Sequence, residues 1–290
     1  MNLLKIKNSI IKVLLETLVF NKTQRKVLKS KWVKLNLKKY VDKAIKKMDC
    51  FKSLEHKDSK IIWQYWHQGI ENAPEIIKKC TDSIQKFHPE YEIKILSFDT
   101  IKDFVEIPDK FYKLLEEKKI PIAIFSDILR LNLLSKYGGM WIDSTIFLTG
   151  RIPDDILNSD FFVLKRDPKN DASRNAMSCF FIKSSSSNIW LNLIKEAIEQ
   201  YWNENNYLIN YFIFEHFSTM LAYYNNEMLQ KWEEIPYYDM RKTGLFQKII
   251  FDEFDFEKYN EIISQTNIHK LTYKNCPKEI KENSYYKKVM

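Results

Sequence analysis

Apolar residues fall into short blocks along the chain, and their spacing alternates between helical and extended periods. Ile124, Ile128, Leu131 and Leu134 recur at helical spacing, which predicts a helix running to about Tyr137. Gly138-Gly139 then supplies the left-handed conformation that caps such a helix. Met140-Trp141-Ile142 reads as a strand buried in a sheet. Asp143 stands at its carboxyl end, where open α/β sheets place their ligands. Upstream, Ile61-Ile62-Trp63 reads as a first strand, Pro74 to Phe87 as an amphipathic helix, and Tyr91 to Ser97 as an alternating second strand. That order argues for parallel pairing through a right-handed crossover. Further helices are expected over Asp99 to Val105 and Asp109 to Glu117.

Downstream, Ile146 to Thr149, Phe161 to Leu164 and Ser178 to Ile182 have strand length. Lys165 to Met177 is polar and turn-rich, a candidate flexible loop over a site. Asn188 to Asn203 reads as a helix, and Ile209 to His216 opens a second helical block. The pattern as a whole predicts an α/β fold. Three parts are expected: a helical segment over 1–58, a main domain over 59–274, and a charged tail over 275–290 that frays.

Charge changes the picture mainly at the N-terminus. The chain has 290 residues and a net charge of +8. Residues 1–60 hold 17 of the 46 basic and 5 of the 38 acidic residues, a balance of +12, which leaves −4 for the rest. No apolar run there approaches the roughly 20 residues that span a bilayer. A basic amphipathic segment of this kind can lie on an anionic membrane, at about 1 kcal/mol per nearby Lys or Arg. It can equally pack on the main domain as a hairpin with its lysines in water. On the first reading its deletion leaves the fold intact. No recognition motif accompanies the charge, so nucleic acid is not an expected partner.

Composition excludes several classes. Only five glycines occur, with no G-x-G-x-x-G or Walker pattern, which argues against dinucleotide and kinase-type sites. Cys50, Cys80, Cys179 and Cys276 are scattered and form no C-x-x-C, so no structural zinc is expected and a reducing cytoplasm fits. No carboxylate pair stands beside Asp143, as a glycoside hydrolase would need. Asp127 and Arg130 share one helix face. They are either a structural ion pair or a clamp for a polar ligand. Tyr65, Trp66 and His67 follow the first strand, where aromatics can stack on a base, although Trp66 also suits a core.

Two stretches carry a family resemblance: Ser126-Asp127-x-x-Arg130, and Leu133-Leu134-x-x-Tyr137-Gly138-Gly139-x-Trp141-x-Asp143. Together they resemble the core signature of the capsular polysaccharide synthesis glycosyltransferases, relatives of the initiating α-mannosyltransferases with an Asp-x-Asp sugar motif. The resemblance runs from about Lys60 to about Lys274. It implies a GT-A-like nucleotide-sugar-binding fold, with a mostly parallel central sheet flanked by helices. The implied activity moves a hexose, UDP-linked by default, to a lipid-linked oligosaccharide with retention, at the inner face of the plasma membrane. Catalytic roles then fall to Asp127, Arg130 and Asp143, and donor binding to Tyr65, Trp66, His67, Asp127, Arg130, Ser144 and Lys270. Asn210 and Glu215 are implied at the acceptor or sugar. Mn2+ or Mg2+ would be held by Asp143, Thr145 and His269.

The chain also departs from the family pattern. Asp143-Ser144-Thr145 lacks the second carboxylate. Ser178 to Ile182 stands in place of an Asn-Trp-Phe run, and Asn210 with Glu215 replaces an Asp-Tyr-Phe and a further acid. These departures keep open a second expectation, an inactive sugar- or membrane-binding homologue.

Overall fold

The computed structural model describes residues 3–19, 21–166, 175–274 and 276–290. In chain order the helices and strands are α1 (Leu3–Leu18), α2 (Lys22–Ile45), α3 (Met48–Lys52), β1 (Ile61–Tyr65), α4 (Glu75–Phe87), β2 (Glu92–Leu96), α5 (Asp109–Glu116), α6 (Ile122–Tyr137), β3 (Gly139–Ile142), β4 (Ile146–Leu148) and α7 (Asp154–Leu157). There follow β5 (Phe161–Lys165), β6 (Met177–Ser184), α8 (Ile189–Glu204), α9 (Ile213–Ala222), α10 (Asn226–Glu234), α11 (Phe256–Ile263), β7 (Ile268–Lys270) and α12 (Tyr285–Val289).

The main sheet has the order β2-β1-β3-β6-β5. β1 pairs in parallel with β2 and β3, whereas β6 runs antiparallel to both β3 and β5. Four of the five strands therefore point the same way. The expected α/β architecture with a mostly parallel sheet is present, with β6 as the reversed strand. A smaller antiparallel pair, β4 with β7, lies beside it.

Helix α6 lies between the sheet and α8, and every residue from Ile124 to Leu134 is buried. A helix enclosed on all sides needs no polar face, which is why its apolar residues are not confined to one stripe. It stops where Gly138 and Gly139 turn the chain at φ of 68° and 90°. A Cβ on Gly139 would lie 2.3 Å from the Ile61 carbonyl oxygen, so β1 and β3 approach closely only because the side chain is missing.

Several expectations are corrected. Residues 1–58 are not a detachable segment. Val33, Leu37, Tyr40, Val41 and Ala44 of α2 are buried in the main core, against α8 and α9. Among the described residues of this segment, α1 and α3 contribute no buried residue, and α2 carries the contact. The tail does not fray: Tyr285 and Tyr286 are buried in a second apolar cluster with Phe246, Phe147 and Ile77. The expected helix over Asp99 to Val105 shrinks to one 3-10 turn, Ile101–Asp103. The candidate loop is shorter than expected, because Lys165 and Met177 belong to β5 and β6; its middle, 167–174, lies outside the described residues.

Candidate functional site

Three stretches that are distant in sequence converge at the carboxyl end of β3. The register of β3 on β6 sets Ile142 opposite Phe181, and the Asp143 amide then donates to the Phe180 carbonyl at 2.9 Å. This brings Cys179 of β6 beside the middle of α6, where its carbonyl accepts from Arg130 Nη1 at 2.5 Å. The register of β4 on β7 sets Ile146 opposite Lys270. Lys270 thereby reaches back to the turn that follows β3.

Arg130 is only 3% exposed. Its Nη1 pairs with Asp127 Oδ1 at 2.9 Å, and its Nη2 donates to Ser126 Oγ at 3.0 Å and Asp143 Oδ1 at 3.3 Å. The guanidinium also lies over the Trp141 ring, 4.8 Å from its centroid. Asp143 Oδ1 accepts a second bond from Trp141 Nε1 at 2.8 Å. Asp143 Oδ2 accepts from Lys270 Nζ at 2.7 Å, and the same ammonium donates to Thr145 Oγ1 at 2.5 Å. The side chains of Asp143 and Lys270 are 24% and 28% exposed. The cluster therefore has a buried layer, Asp127 with Arg130, and an accessible layer, Asp143 with Lys270.

The electrostatics follow this layering. Burial pushes Asp127 up to about 6 against the pull of Arg130, with Asp143 adding to the rise. Burial also acts on Asp143, but Lys270 and Arg130 outweigh it and hold that carboxyl below its usual range. Glu215 on α9 is pushed up to about 7, first by burial and then by Asp127. Its Oε1 accepts from Cys179 Sγ at 3.6 Å.

The other expected residues are distributed unevenly. Tyr65 is buried and its hydroxyl meets His67 Nδ1 at 2.7 Å. Ser144 is buried too, and its hydroxyl donates to the Tyr65 carbonyl at 2.8 Å, so it ties the Asp143 turn to β1 instead of facing a ligand. Trp66 turns away and packs edge-on against Tyr273 at 5.1 Å. His67 lines a cavity of about 930 Å3 together with Phe98, Tyr112, Ile120, Pro121 and Ile122. Asn210 caps a turn by accepting from the Phe212 amide at 2.8 Å, before α9 begins.

His269 does not join the cluster. Successive residues of a strand face opposite sides, so Lys270 pointing at Asp143 sends His269 the other way. Its Nε2 meets Thr149 Oγ1 at 2.9 Å, its ring lies 5.2 Å from Phe246, and burial pushes it down to about 4. Of the expected metal ligands, only Asp143 and Thr145 are together, and Lys270 lies across both. Among the described residues no three His, Cys, Asp or Glu side chains gather as a metal site. A hard divalent ion seeks several free oxygen ligands, and Asp143, the one carboxylate among the expected ligands, already accepts from three donors. The residues present do not fit a divalent ion.

Sequence reasoning missed Trp141, Ser126 and Cys179. The first two had a signal. Trp141 shares a strand face with Asp143 at spacing two, and Ser126 shares a helix face with Arg130 at spacing four. Cys179 enters through its carbonyl and carried none.

The chain shows similarity to several known proteins. The chain is 29% identical over 125 residues to Subversion of eukaryotic traffic protein A of Legionella pneumophila, covering 40% of this chain and 19% of that protein. It is 26% identical over 104 residues to the O-glycosyltransferase braB of Annulohypoxylon truncatum, covering 33% and 25%. With the glycosyltransferase afumC of Aspergillus fumigatus it shares 23% identity over 110 residues, covering 35% and 28%. The chain thus spans between 19% and 28% of the length of these curated relatives. Among solved structures, the PaToxG glycosyltransferase aligns over 80% of this chain and 95% of its own, at 14% identity and a TM-score of 0.41. A family model described as capsular polysaccharide synthesis protein matches residues 16–289, nearly the whole chain, and the chain belongs to that family.

Proposed function

We propose that the chain is a hexosyltransferase of GT-A-like type. It takes a hexose from a nucleoside-diphosphate sugar, UDP-linked, and adds it with retention to a lipid-linked oligosaccharide during synthesis of a capsular or other surface polysaccharide. The observation that carries this reading is the layered cluster, in which Arg130 and Lys270 converge on Asp143 at a strand end. Leaving-group departure concentrates negative charge on a diphosphate, and preorganised cations stabilise it most when they need not move. Arg130, fixed by Asp127, Ser126 and the Cys179 carbonyl, meets that condition. The cavity lined by His67, Phe98 and Tyr112 suits the base, and hydrogen bonds of Tyr65 with His67 and Ser144 tie its wall to the turn that carries Asp143. Glu215, which meets Cys179, and the exposed Tyr211 near the same carboxylates suit the acceptor or the transferred sugar.

A lipid-linked acceptor calls for a membrane-facing surface, and α1 supports one. Leu3, Ile10, Leu14 and Leu18 form an exposed apolar stripe at helical spacing, with Lys7 set within it. Lys22, Arg25, Lys26 and Lys29 extend the positive charge along the start of α2. Among the described residues no helix is long and apolar enough to cross a membrane. This reading puts the protein at the inner face of the plasma membrane, on anionic lipid.

The test is nucleotide release from UDP-, GDP- and dTDP-hexoses, with a polyprenyl-diphosphate oligosaccharide as acceptor and the product anomer read by NMR. Release from one donor class, lost in Asp143→Asn, supports the reading. Sugar binding without turnover would favour an inactive homologue, for which the missing second carboxylate at Thr145 speaks. No binding and no release from a folded protein would overturn both.

A further inference from the structure

At the place where an Asp-x-Asp pair would hold a divalent ion, this chain has a lysine. Thr145 stands where the second carboxylate would be, and Lys270 Nζ bridges Asp143 Oδ2 at 2.7 Å and Thr145 Oγ1 at 2.5 Å. The ammonium is further placed by the Phe180 ring, whose centroid is 5.1 Å away. Asp143 Oδ1 is equally committed, to Trp141 at 2.8 Å and Arg130 at 3.3 Å. A dication entering here would have to displace an ammonium from its carboxylate and would meet a guanidinium behind it. Thr145 alone would then replace the lost ligand, and a neutral hydroxyl is a poor substitute for a carboxylate toward a hard ion.

Charge and geometry allow Lys270 to do what the ion would do. A lysine ammonium has three donors. Two are used by Asp143 and Thr145, and one remains to meet a ligand. The side chain is 28% exposed, so that donor is accessible. Arg130 lies behind it on the same carboxylate, so the two cations sit on either side of Asp143. Because α6, β3 and β7 hold them in place, little reorganisation is needed when a diphosphate arrives.

We propose that Lys270, carried by Asp143 and Thr145, replaces the divalent ion, so that this chain binds and discharges a nucleoside diphosphate without metal. The inference rests on the donor reading above and names how that donor is held. In the transfer step the bond between the anomeric carbon and the β-phosphate oxygen breaks, and its electron pair stays on the diphosphate. Lys270 neutralises that oxygen while the acceptor hydroxyl oxygen bonds to the anomeric carbon. The hydroxyl proton leaves on the departing diphosphate, so the products are the glycoside and a protonated nucleoside diphosphate.

The experiment is equilibrium binding of UDP, GDP, dTDP and the matching monophosphates to the full chain, by calorimetry, in EDTA and then in Mn2+. One diphosphate is expected to bind with the same dissociation constant in both, within about twofold. Lys270→Met is expected to weaken it by about 10- to 100-fold, the range of a lost charge-assisted hydrogen bond. The monophosphate, which lacks the β-phosphate, should lose much less, and Lys270→Arg should restore most of the affinity. Circular dichroism melts establish that each variant is folded. Binding that requires Mn2+ would overturn the inference and leave the donor reading standing. Equal binding by wild type and Lys270→Met in EDTA would also overturn it. If no nucleotide binds under either condition, the donor reading falls, and this inference falls with it.

Discussion

Asp127 and Asp143 are both carboxylates on the same arginine, yet their removal should have opposite consequences. In Asp127→Ala, Arg130 loses its 2.9 Å partner while remaining almost wholly buried. Its remaining contacts are neutral, the Ser126 hydroxyl and the Cys179 carbonyl, apart from the longer 3.3 Å pairing with Asp143. Breaking a buried pair by removing one member leaves an uncompensated charge and costs about 3–5 kcal/mol. For a chain of this size each kcal/mol moves the melting midpoint by roughly 2–4 °C, so a fall of about 10 °C is expected. In Asp143→Asn the side chain is a quarter exposed, Trp141 keeps an acceptor, and Arg130 keeps Asp127. Its midpoint should fall by no more than about 3 °C while nucleotide release is lost. The assay is a pair of calorimetric melts at pH 7.5 with donor turnover measured alongside. If Asp127→Ala melts within 2 °C of wild type, Arg130 is not held as argued and the buried layer is not structural.

The other predictions concern pH, the N-terminus and the close approach of β1 and β3. Glu215 has its carboxyl raised from 4.5 to about 7, so the folded state binds more protons than the unfolded one between those values. Its neutral form therefore stabilises the fold fully below about pH 4.5, and that contribution is lost as pH rises through about 7; Glu215→Gln should flatten the decline in urea midpoint between pH 5 and 7.5. Leu37→Ala on α2 removes a fully buried side chain and should cost about 2–5 kcal/mol in urea unfolding. Deleting residues 1–20 should leave the melt nearly unchanged but release the protein from phosphatidylglycerol vesicles in a sedimentation assay; retained binding would remove α1 as the membrane-facing element. Gly139→Ala forces a Cβ against the Ile61 carbonyl and should lower the melting midpoint more than Gly244→Ala, where a Cβ meets nothing within 4 Å.

Local spacing made the centre of the molecule legible. The α6 helix, its double-glycine stop, β3 and Asp143 stand where periodicity and capping chemistry put them. Composition misled at both ends. The lysines of residues 22–45 drew attention from a stripe at Val33, Leu37, Tyr40, Val41 and Ala44, whose spacing is that of a buried face. The charged tail hid Tyr285 and Tyr286, which an aromatic cluster around Phe246 takes in. Partners set by long-range pairing had no local signal. Nothing near Lys270 says that β7 lies on β4, and without that register its reach to Asp143 is invisible. The same register decides His269, since neighbours on a strand cannot both face the site.

The distinction between the two ends of the Asp143 cluster bears on what the Asp-Ser-Thr sequence means. Taken alone, the loss of a second carboxylate looks like decay of an ion site and favours an inactive homologue. With β7 in place it reads differently, because Thr145 and Lys270 are complementary to each other. A carboxylate at 145 would have paired with the ammonium and competed with a phosphate for it; a hydroxyl accepts one hydrogen bond and leaves the positive charge available. Decay would leave Asp143 unsupported, yet it accepts three bonds from α6, β3 and β7. A charged group held this tightly and still a quarter exposed is what the proposed diphosphate site requires. If the ligand is a diphosphate, Thr145→Asp should weaken its binding in EDTA. Stronger metal-free binding in that variant would show that Thr145 does not act by leaving the Lys270 charge free.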